Sequence, residues 1–235
     1  MKRFGFSSPR KVMWAFLVGA LLGLPATAHA DMVLSQVIID LPPSAPPYQD
    51  IEVWNSEVER IYVVAEPSEI LSPGNADERR VQEPDPQKLG LLVTPNRLIL
   101  EPGERKLIRV ATIAERTSQE HIYRIAIKPV VGDITAKASS LKILVGYDAL
   151  VIVRPLAPHS NITATREARS LVLRNEGNTN AELFDGKQCD VANKNCVPLP
   201  PKRLYAGTSW QQSLTHDGPV TYTIKTGDEV ATRSF

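Results

Sequence analysis

The chain has few of the residues on which catalytic and metal sites are usually built. Its 235 residues include 2 cysteines and 4 histidines, and 6% are aromatic. It has no nucleophile elbow GxSxG, no HExxH pair and no phosphate-binding glycine-rich loop. Three histidines lie beyond residue 30, far apart in the sequence, and we interpret them as solvated or strand-face residues: His121, His159 and His216. The sequence therefore predicts no enzyme, no cofactor and no metal site.

Long apolar runs are also missing, except near the start of the chain. Basic residues at positions 2, 3, 10 and 11 precede an apolar run over 12–24, and Ala28-His29-Ala30 has the small residues of a cleavage site. This pattern is typical of a signal peptide over residues 1–30. The run is short for a membrane span. We therefore expect an exported, soluble mature protein that starts at Asp31.

An excess of positive charge is absent as well. Residues 1–30 contain four basic and no acidic residues, so 23 basic and 26 acidic residues remain beyond them, a net charge of −3. Nucleic-acid-binding domains usually carry a clear basic patch. The composition therefore excludes nucleic acid as an expected partner.

The two cysteines, Cys189 and Cys196, lie seven residues apart in a polar segment. In an oxidising compartment such a pair favours a local disulfide. The alternative, a metal site, needs more ligands than this spacing supplies, and His216 is the only histidine nearby. We therefore predict the disulfide.

Short β-rich segments separated by turn residues fill the mature sequence, with almost no helical periodicity. They are 33–41, 50–55, 60–65, 91–94, 97–101, 105–112, 120–131, 137–155, 161–165, 170–175, 181–184, 205–213, 220–225 and 229–234. Residues 67–88 are rich in proline and charge and predict an exposed loop. This pattern predicts an all-β chain of two sandwiches with a boundary near 154–158.

The segment 137–155 is long for a strand and has two different halves. Leu141, Ile143 and Val145 alternate with other residues, so they line one face. Residues 149–153 are continuously apolar, which is typical of a strand buried on both faces. If the first half is a sheet edge, its unpaired backbone groups and large apolar side chains invite a partner strand. The alternative is that this half packs in its own core.

Several motifs resemble the periplasmic pilus chaperones of the chaperone–usher pathway. They are LVTP (92–95), LEPGE (100–104), LIRV (107–110), EHIYR (120–124), 141–153 followed by Arg154-Pro155, and LRNEGN (173–178). Tyr123-Arg124, and the NEGN motif followed by two nearby cysteines, are most similar to the alternate, or alpha-type, fimbrial chaperones. The resemblance covers nearly the whole mature chain.

The resemblance implies two immunoglobulin-like β-sandwich domains in a boomerang arrangement, over residues 31–155 and 156–235. It also implies a function in the periplasm, where the chain would bind pilin subunits by donor-strand complementation and deliver them to an outer-membrane usher. By position, the donor residues would be Leu141, Ile143 and Val145. Self-association could cap this edge in the free protein. A structural or adhesive pilus-associated β-sandwich protein is the alternative.

The resemblance leaves open how the C-terminal carboxylate of a pilin is held. Members of the family use a basic residue in the first strand and another in the long strand, but these positions are Ile38 and Leu150 here. A carboxylate in a cleft favours a charge-assisted donor. We expect Arg124 to be the anchor, with Arg109 as the second candidate.

The family also has an interdomain ion pair. By the same correspondence, Glu120 and Arg154 take the acidic and basic positions, and Asp228 is a weaker candidate for a third partner. We therefore expect loss of Glu120 to leave Arg154 partly buried without a partner.

Overall fold

The computed structural model describes residues 32–130 and 144–235, and almost all of its regular structure is β-strand. The strands up to residue 153 are β1 (Met32–Leu34), β2 (Ile38–Leu41), β3 (Tyr48–Asn55), β4 (Ile61–Leu71), β5 (Arg79–Val81), β6 (Leu91–Thr94), β7 (Arg97–Leu100), β8 (Arg105–Thr112), β9 (His121–Val130) and β10 (Tyr147–Val153). One short helix, α1, spans Pro86–Leu89. In the described ranges, no helix is long and apolar enough to cross a membrane.

Strands β1 to β10 form two sheets, which we call sheets A and B. Sheet A has the order β1-β3-β8-β6, and sheet B has the order β2-β10-β9-β4-β5, with β7 also paired to β4. The inner faces meet in one core. Ile51 of β3 lies opposite Ile108 of β8, and Ala65 of β4 lies opposite Ile127 of β9. All four are buried, as the period of two in their strands predicts.

The final strand of this first sandwich, β10, is buried on both faces. Residues 149–153 are each at most 4% exposed. Inward-facing Ala149 and Val151 join the main core. Outward-facing Leu150 and Ile152 join a second cluster with Ile70, Ile122 and Tyr205. The prediction of a strand buried on both faces over 149–153 is confirmed.

The segment predicted as one strand over 33–41 is two strands in different sheets. Strand β1 pairs antiparallel with β3, whereas β2 pairs parallel with β10. Between them, the Ser35 N–H donates to the Glu52 carbonyl and the Ser35 hydroxyl accepts from the Glu52 N–H. These bonds end the pairing with sheet A, and the chain then crosses to sheet B.

The predicted loop over 67–88 is shorter than expected. Strand β4 continues to Leu71, and β5 returns beside it with Ile70 opposite Arg80. The Asp85 side chain accepts from the Gln87 N–H and caps α1. The irregular part of the segment is therefore limited to the hairpin tip and the approach to α1.

Residues 162–234 form the second sandwich. Its strands are β11 (Ile162–Glu167), β12 (Ser170–Asn175), β13 (Ala181–Cys189), β14 (Cys196–Leu199), β15 (Lys202–Leu204), β16 (Ser209–Ser213), β17 (Val220–Thr226) and β18 (Glu229–Ser234). Sheet C has the order β11-β12-β16, and sheet D has the order β14-β13-β17-β18, with β15 paired to β13. A separate core lies between them, with Leu173, Leu183 and Tyr222 fully buried. The prediction of an all-β chain is confirmed.

Both sandwiches contain the same asparagine corner. Asn55, which ends β3, donates from its side chain to the Glu59 and Leu100 carbonyls. Its backbone carbonyl accepts from Gly103 N–H. Asn175, which ends β12, has the equivalent set of bonds in the second sandwich.

The Asn175 side chain donates to the Thr179 and Leu204 carbonyls, and its backbone carbonyl accepts from Gly207 N–H. Gly103 and Gly207 both have positive φ angles, 73° and 77°, which glycine adopts without steric cost. Both asparagines are completely buried. The LEPGE motif of the first sandwich and its counterpart after Leu204 therefore serve the same corner.

Candidate functional site

The described part of the chain enters β10 beside the end of β9. Strand β9 runs to Val130, but its pairing with β10 begins at Ile127, opposite Tyr147. Residues 144–146 are described, and they are not in a strand. Gly146 nevertheless lies against β9, since a Cβ added to it would come within 2.8 Å of the Lys128 Cβ. The side chain of Val145 is 55% exposed there.

Only one of the three predicted donor residues, Val145, belongs to the part of the chain that the structure describes. Leu141 and Ile143 lie outside the described residues, and Val145 lies inside them. Val145 is exposed rather than packed into the core of the first sandwich. The position of the other two donors stays a prediction.

Three apolar side chains form a row across the outer face of sheet B, and the row ends on β9. Ile99, Tyr62 and Val130 lie side by side on β7, β4 and β9. They are 47%, 36% and 38% exposed and line a shallow depression. Sequence reasoning missed this row, because its members come from three separate segments and only the register of sheet B aligns them.

Arg124 lies further along the same face. It is opposite Leu150 of β10 on one side and Ser68 of β4 on the other. The side chain is one-third exposed. Burial raises the pKa of Tyr205, and the positive charge of Arg124 opposes this shift. Arg124 is therefore near Tyr205 of the second sandwich and beside the apolar cluster of Leu150. Its role as a carboxylate anchor stays a prediction.

Arg109 lies on the other sheet. Its Nε and Nη2 donate to the two carboxylate oxygens of Asp50, each at 2.8 Å, and its guanidinium stacks on the Tyr48 ring. This hydrogen bond lowers the pKa of Asp50 and raises the pKa of Arg109. The two candidate anchors therefore lie on the outer faces of different sheets, and Arg109 already has a bidentate carboxylate partner.

Arg154, directly after β10, has an unexpected acidic partner. Its Nε and Nη2 donate to the two carboxylate oxygens of Asp40, each at 2.7 Å. The Arg154 side chain is only 4% exposed. The parallel pairing of β2 with β10 brings Asp40 to this position, opposite Ile152. This ion pair lies within the first sandwich, and the role of Asp228 as a third interdomain partner stays a prediction.

The predicted direct pair between Glu120 and Arg154 is replaced by a bridge through Thr179. Arg154 Nη1 donates to the Thr179 hydroxyl at 2.8 Å, and this hydroxyl donates to Glu120 Oε2 at 2.9 Å. The same oxygen accepts from the backbone and side-chain N–H groups of Asn180. The bidentate geometry of Asp40 leaves Arg154 only one nitrogen for this bridge.

The bridge joins the two sandwiches, because Glu120 and Arg154 precede residue 155 whereas Thr179 and Asn180 follow β12. Asn178, in the same turn, adds two bonds. Its carbonyl accepts from the Glu120 N–H, and its side chain donates to the Ser118 carbonyl. The turn after Asn175 is therefore the main polar contact of the second sandwich with the first among the described residues.

The predicted disulfide is confirmed. Cys189 and Cys196 are bonded and lie opposite each other on β13 and β14. Among residues 32–130 and 144–235, no three or more His, Cys, Asp or Glu side chains are grouped so that they could hold a metal ion.

Two curated relatives are fimbrial proteins of Escherichia coli. One, from the CS1 fimbriae, is 26% identical over 211 residues, which cover 85% of this chain and 87% of the relative. Another, from the CFA/I fimbriae, is 28% identical over 192 residues, which cover 77% of this chain and 79% of the relative. Both carry the name of a fimbrial subunit. No protein-family model matches the chain.

Solved structures of similar fold cover nearly the whole mature chain. The class 5 fimbriae chaperone CfaA superposes with a TM-score of 0.63 at 22% identity, covering 86% of this chain and 98% of CfaA. A chaperone–tip adhesin complex of CFA/I fimbriae gives 0.62 at 24% identity, covering 87% and 98%. The Salmonella enterica SafB chaperone, solved with the SafA pilin, gives 0.61 at 16% identity, covering 89% and 97%. This protein therefore has the two-sandwich, immunoglobulin-like fold of the fimbrial chaperones of the chaperone–usher pathway, and the resemblance indicated by its motifs is confirmed.

Proposed function

We propose that this protein is a periplasmic chaperone that binds pilin subunits by donor-strand complementation and delivers them to an outer-membrane usher. The exposure of Val145 carries this proposal, because this apolar side chain is 55% exposed directly before β10 instead of packing in the core of its own sandwich. The similar SafB chaperone was solved with a pilin, and a similar chaperone was solved with a tip adhesin. A fimbrial subunit is therefore the partner that fits best.

The donor residues supply the apolar part of the binding energy. Leu141, Ile143 and Val145 alternate, so they enter a groove of the pilin from one side of the strand. At about 1.5–3 kcal/mol each, the burial of the three side chains gives roughly 4.5–9 kcal/mol of gross transfer free energy. Backbone hydrogen bonds to the pilin add a smaller net amount each. Arg124 holds the terminal carboxylate of the pilin through charge-assisted bonds.

The release of the pilin is driven by its own folding. A pilin completed by a strand of its neighbour in the fibre is more stable than one completed by the chaperone, so transfer needs no catalysed reaction. In this proposal residues 31–155 form the donor domain and residues 156–235 the second domain. The chain acts without enzymatic activity.

Recovery of a partner from the native periplasm tests the proposal. Tagged mature protein is compared with Ile143→Asp and Val145→Asp, which place a charge in the donor face. Val191→Asp is the matched control, because Val191 is 84% exposed in the second sandwich. We expect wild type and the control to recover a small β-rich pilin, and both donor-face variants to lose it.

Equal recovery by all four proteins would move binding away from the donor strand. If folded wild-type protein recovers no pilin while its fimbrial genes are expressed, the structural or adhesive alternative is favoured. Circular dichroism of each variant separates loss of binding from loss of folding.

A further inference from the structure

The last strand of the second sandwich, β18, lies at one edge of sheet D. It pairs antiparallel with β17 without a bulge, and each residue of Glu229–Ser234 has one partner. Phe235 extends the ladder, because its N–H and carbonyl exchange hydrogen bonds with Val220. Such exchanged pairs alternate along an antiparallel ladder, so every second residue of β18 directs its backbone groups to β17. The backbone groups of the residues between them point away from the sheet.

The residues with outward-pointing backbone groups are Val230, Thr232 and Ser234. Among the strands of the described ranges, only β17 pairs with β18. The side chains of these three residues share the outer face of the sheet, and none is a lysine, a proline or another residue that usually protects an edge. At the opposite edge of sheet D, β14 contains Pro198. The β18 edge is therefore the less protected one.

The charged residues of β18 lie on its inner face. Glu229 and Arg233 alternate with the edge residues, and Arg233 lies opposite Tyr222, which is buried in the core. Every residue of β18 is nevertheless exposed. Arg233 Nη1 donates to the Ile162 carbonyl of sheet C at 2.8 Å, and its guanidinium lies over the Phe235 ring. One carboxylate and one guanidinium thus share the inner face of an unpaired edge.

These two charges determine which strand can be added at this edge. Inward-pointing charges usually protect an edge, because an added strand leaves them without a partner. A second copy of β18 compensates them. When it lies antiparallel with Ala231 opposite Ala231, its Arg233 lies opposite Glu229 and its Glu229 lies opposite Arg233. In this register Val230 lies opposite Thr232 of the second copy, so residues with free backbone groups can exchange hydrogen bonds.

Other antiparallel registers of the same two strands lack this match. A register centred on Glu229 or on Arg233 places like charges directly opposite each other, which is destabilising. A register centred on Val230 or Thr232 leaves both charges without an opposite partner. The register centred on Ala231 therefore pairs both the charges and the free backbone groups.

We infer that the protein forms a two-fold symmetric dimer in which β18 of one copy pairs antiparallel with β18 of a second copy. The interface belongs to the second sandwich, whereas the predicted donor residues belong to the first. The inference is therefore distinct from self-association at the donor strand, and it does not depend on the proposed function. One pair of strands buries less than the roughly 1,200 Å² of a stable complex, so the dimer should be weak and dissociate on dilution.

Sedimentation equilibrium of the mature protein over a wide concentration range tests the dimer. Wild type should pass from monomer to dimer as its concentration rises. Glu229→Arg and Arg233→Glu should each weaken association at least about tenfold, because each places like charges opposite each other twice. Glu167→Arg is the matched control, since Glu167 is an exposed acidic residue of β11 in the same sandwich. It should associate as wild type does.

A mixture of the two charge variants tests the register. Glu229→Arg has only positive charges on this face and Arg233→Glu only negative ones, so each charge of one variant lies opposite a charge of the other sign in the heterodimer. With one variant labelled, the mixture should therefore form a heterodimer although each variant alone is a monomer. This rescue also shows that both variants are folded.

A variant without a change of charge tests the backbone pairing. Thr232→Pro removes an N–H that points away from β17, and proline is tolerated at such positions of an edge strand. We expect this variant to keep the circular dichroism spectrum of wild type and to lose the dimer. Val145→Asp, in contrast, should dimerise as wild type does.

Three results would overturn the inference: a wild type that stays monomeric at every concentration, a dimer that all the β18 variants keep, or a mixture of the charge variants that does not associate. Loss of the dimer in Val145→Asp alone would place self-association at the donor strand and would also overturn it. None of these results decides the proposed function, because the donor residues are unchanged in the β18 variants and pilin recovery is measured separately.

Discussion

The buried positive charge of Arg154 depends more on Asp40 than on Glu120. Asp40 contacts it with both carboxylate oxygens, whereas Glu120 reaches it only through Thr179. Removing one partner of a buried ion pair is costly because the other charge stays buried. We expect Asp40→Ala to lower the free energy of unfolding by about 3 kcal/mol, and Glu120→Ala by about 1–2 kcal/mol.

Urea denaturation of the mature protein measures both changes. The double variant Asp40→Ala/Arg154→Met removes the pair completely and should recover most of the loss from Asp40→Ala. A larger loss from Glu120→Ala than from Asp40→Ala would restore the sequence-based assignment of Glu120 as the main partner.

Asp50 gives a prediction about pH. Its hydrogen bond with Arg109 lowers its pKa below the usual 3.8 in the folded protein. A lowered pKa means that the interaction stabilises the fold above the usual value and is lost as the pH falls through the lowered one. The advantage in thermal midpoint of wild type over Asp50→Asn should therefore be full at neutral pH and shrink below about pH 3.8. A constant difference across this range would contradict the assignment.

The strands β13 and β14 are joined covalently as well as by their ladder. The bond between Cys189 and Cys196 closes a short loop, which restricts the unfolded chain. Such a loop contributes about 2–3 kcal/mol. We expect the double variant Cys189→Ala/Cys196→Ala to lose this amount.

The loss should be larger in the second sandwich than in the first. Trp54 lies in the first sandwich and Trp210 in the second, and each is the sandwich's one tryptophan beyond residue 30. In the Trp54→Phe background, fluorescence reports Trp210 alone and should show the earlier transition. In the Trp210→Phe background, the transition reported by Trp54 should shift less, because the bridge through Thr179 transmits only part of the loss to the first sandwich.

The sequence predicted strands that show a local pattern of apolar residues. It did not predict which strands pair with each other in a sheet. The continuous apolar run over 149–153 indicated a strand buried on both faces, and β10 is one. The split between β1 and β2 depends on which sheet each half joins, and periodicity does not contain this information. Strand β5 was missed because Arg79–Val81 is exposed and has no apolar face of its own.

The same distinction holds in the candidate site. Arg124 could be selected because a charge interrupted an apolar strand. Asp40 gave the same signal, a charged residue within the run from Val37 to Leu41, but its partner depended on the parallel register with β10.

At the scale of the whole molecule, one of the contacts between the two sandwiches depends on a single hydroxyl. Thr179 is the link between Arg154 and Glu120, and it is completely buried. Thr179→Val keeps the shape of the side chain but removes both hydrogen bonds. We expect this variant to lose about 1–3 kcal/mol and to separate the unfolding transitions of the two sandwiches.

The two tryptophans again provide the measurement. Wild type should show closely similar thermal transitions at Trp54 and Trp210, whereas Thr179→Val should show them at different temperatures. Thr179→Ser is the control, because it keeps the hydroxyl. Separate transitions already in wild type would mean that this bridge does not couple the sandwiches.

Strand β2 has a consequence for which partners the protein accepts. It covers β10 from Leu150 onward, so a guest strand cannot slide further along the edge than the start of β2 at Ile38. Strand β2 therefore sets one end of the edge along which a guest strand can pair. A pilin whose final strand is one residue too long would present its opposite face to the donor residues, because successive side chains point to opposite sides. Under the proposed function, we therefore expect β2 to act as a stop that selects pilins by where their last strand ends, independently of which side chains it carries.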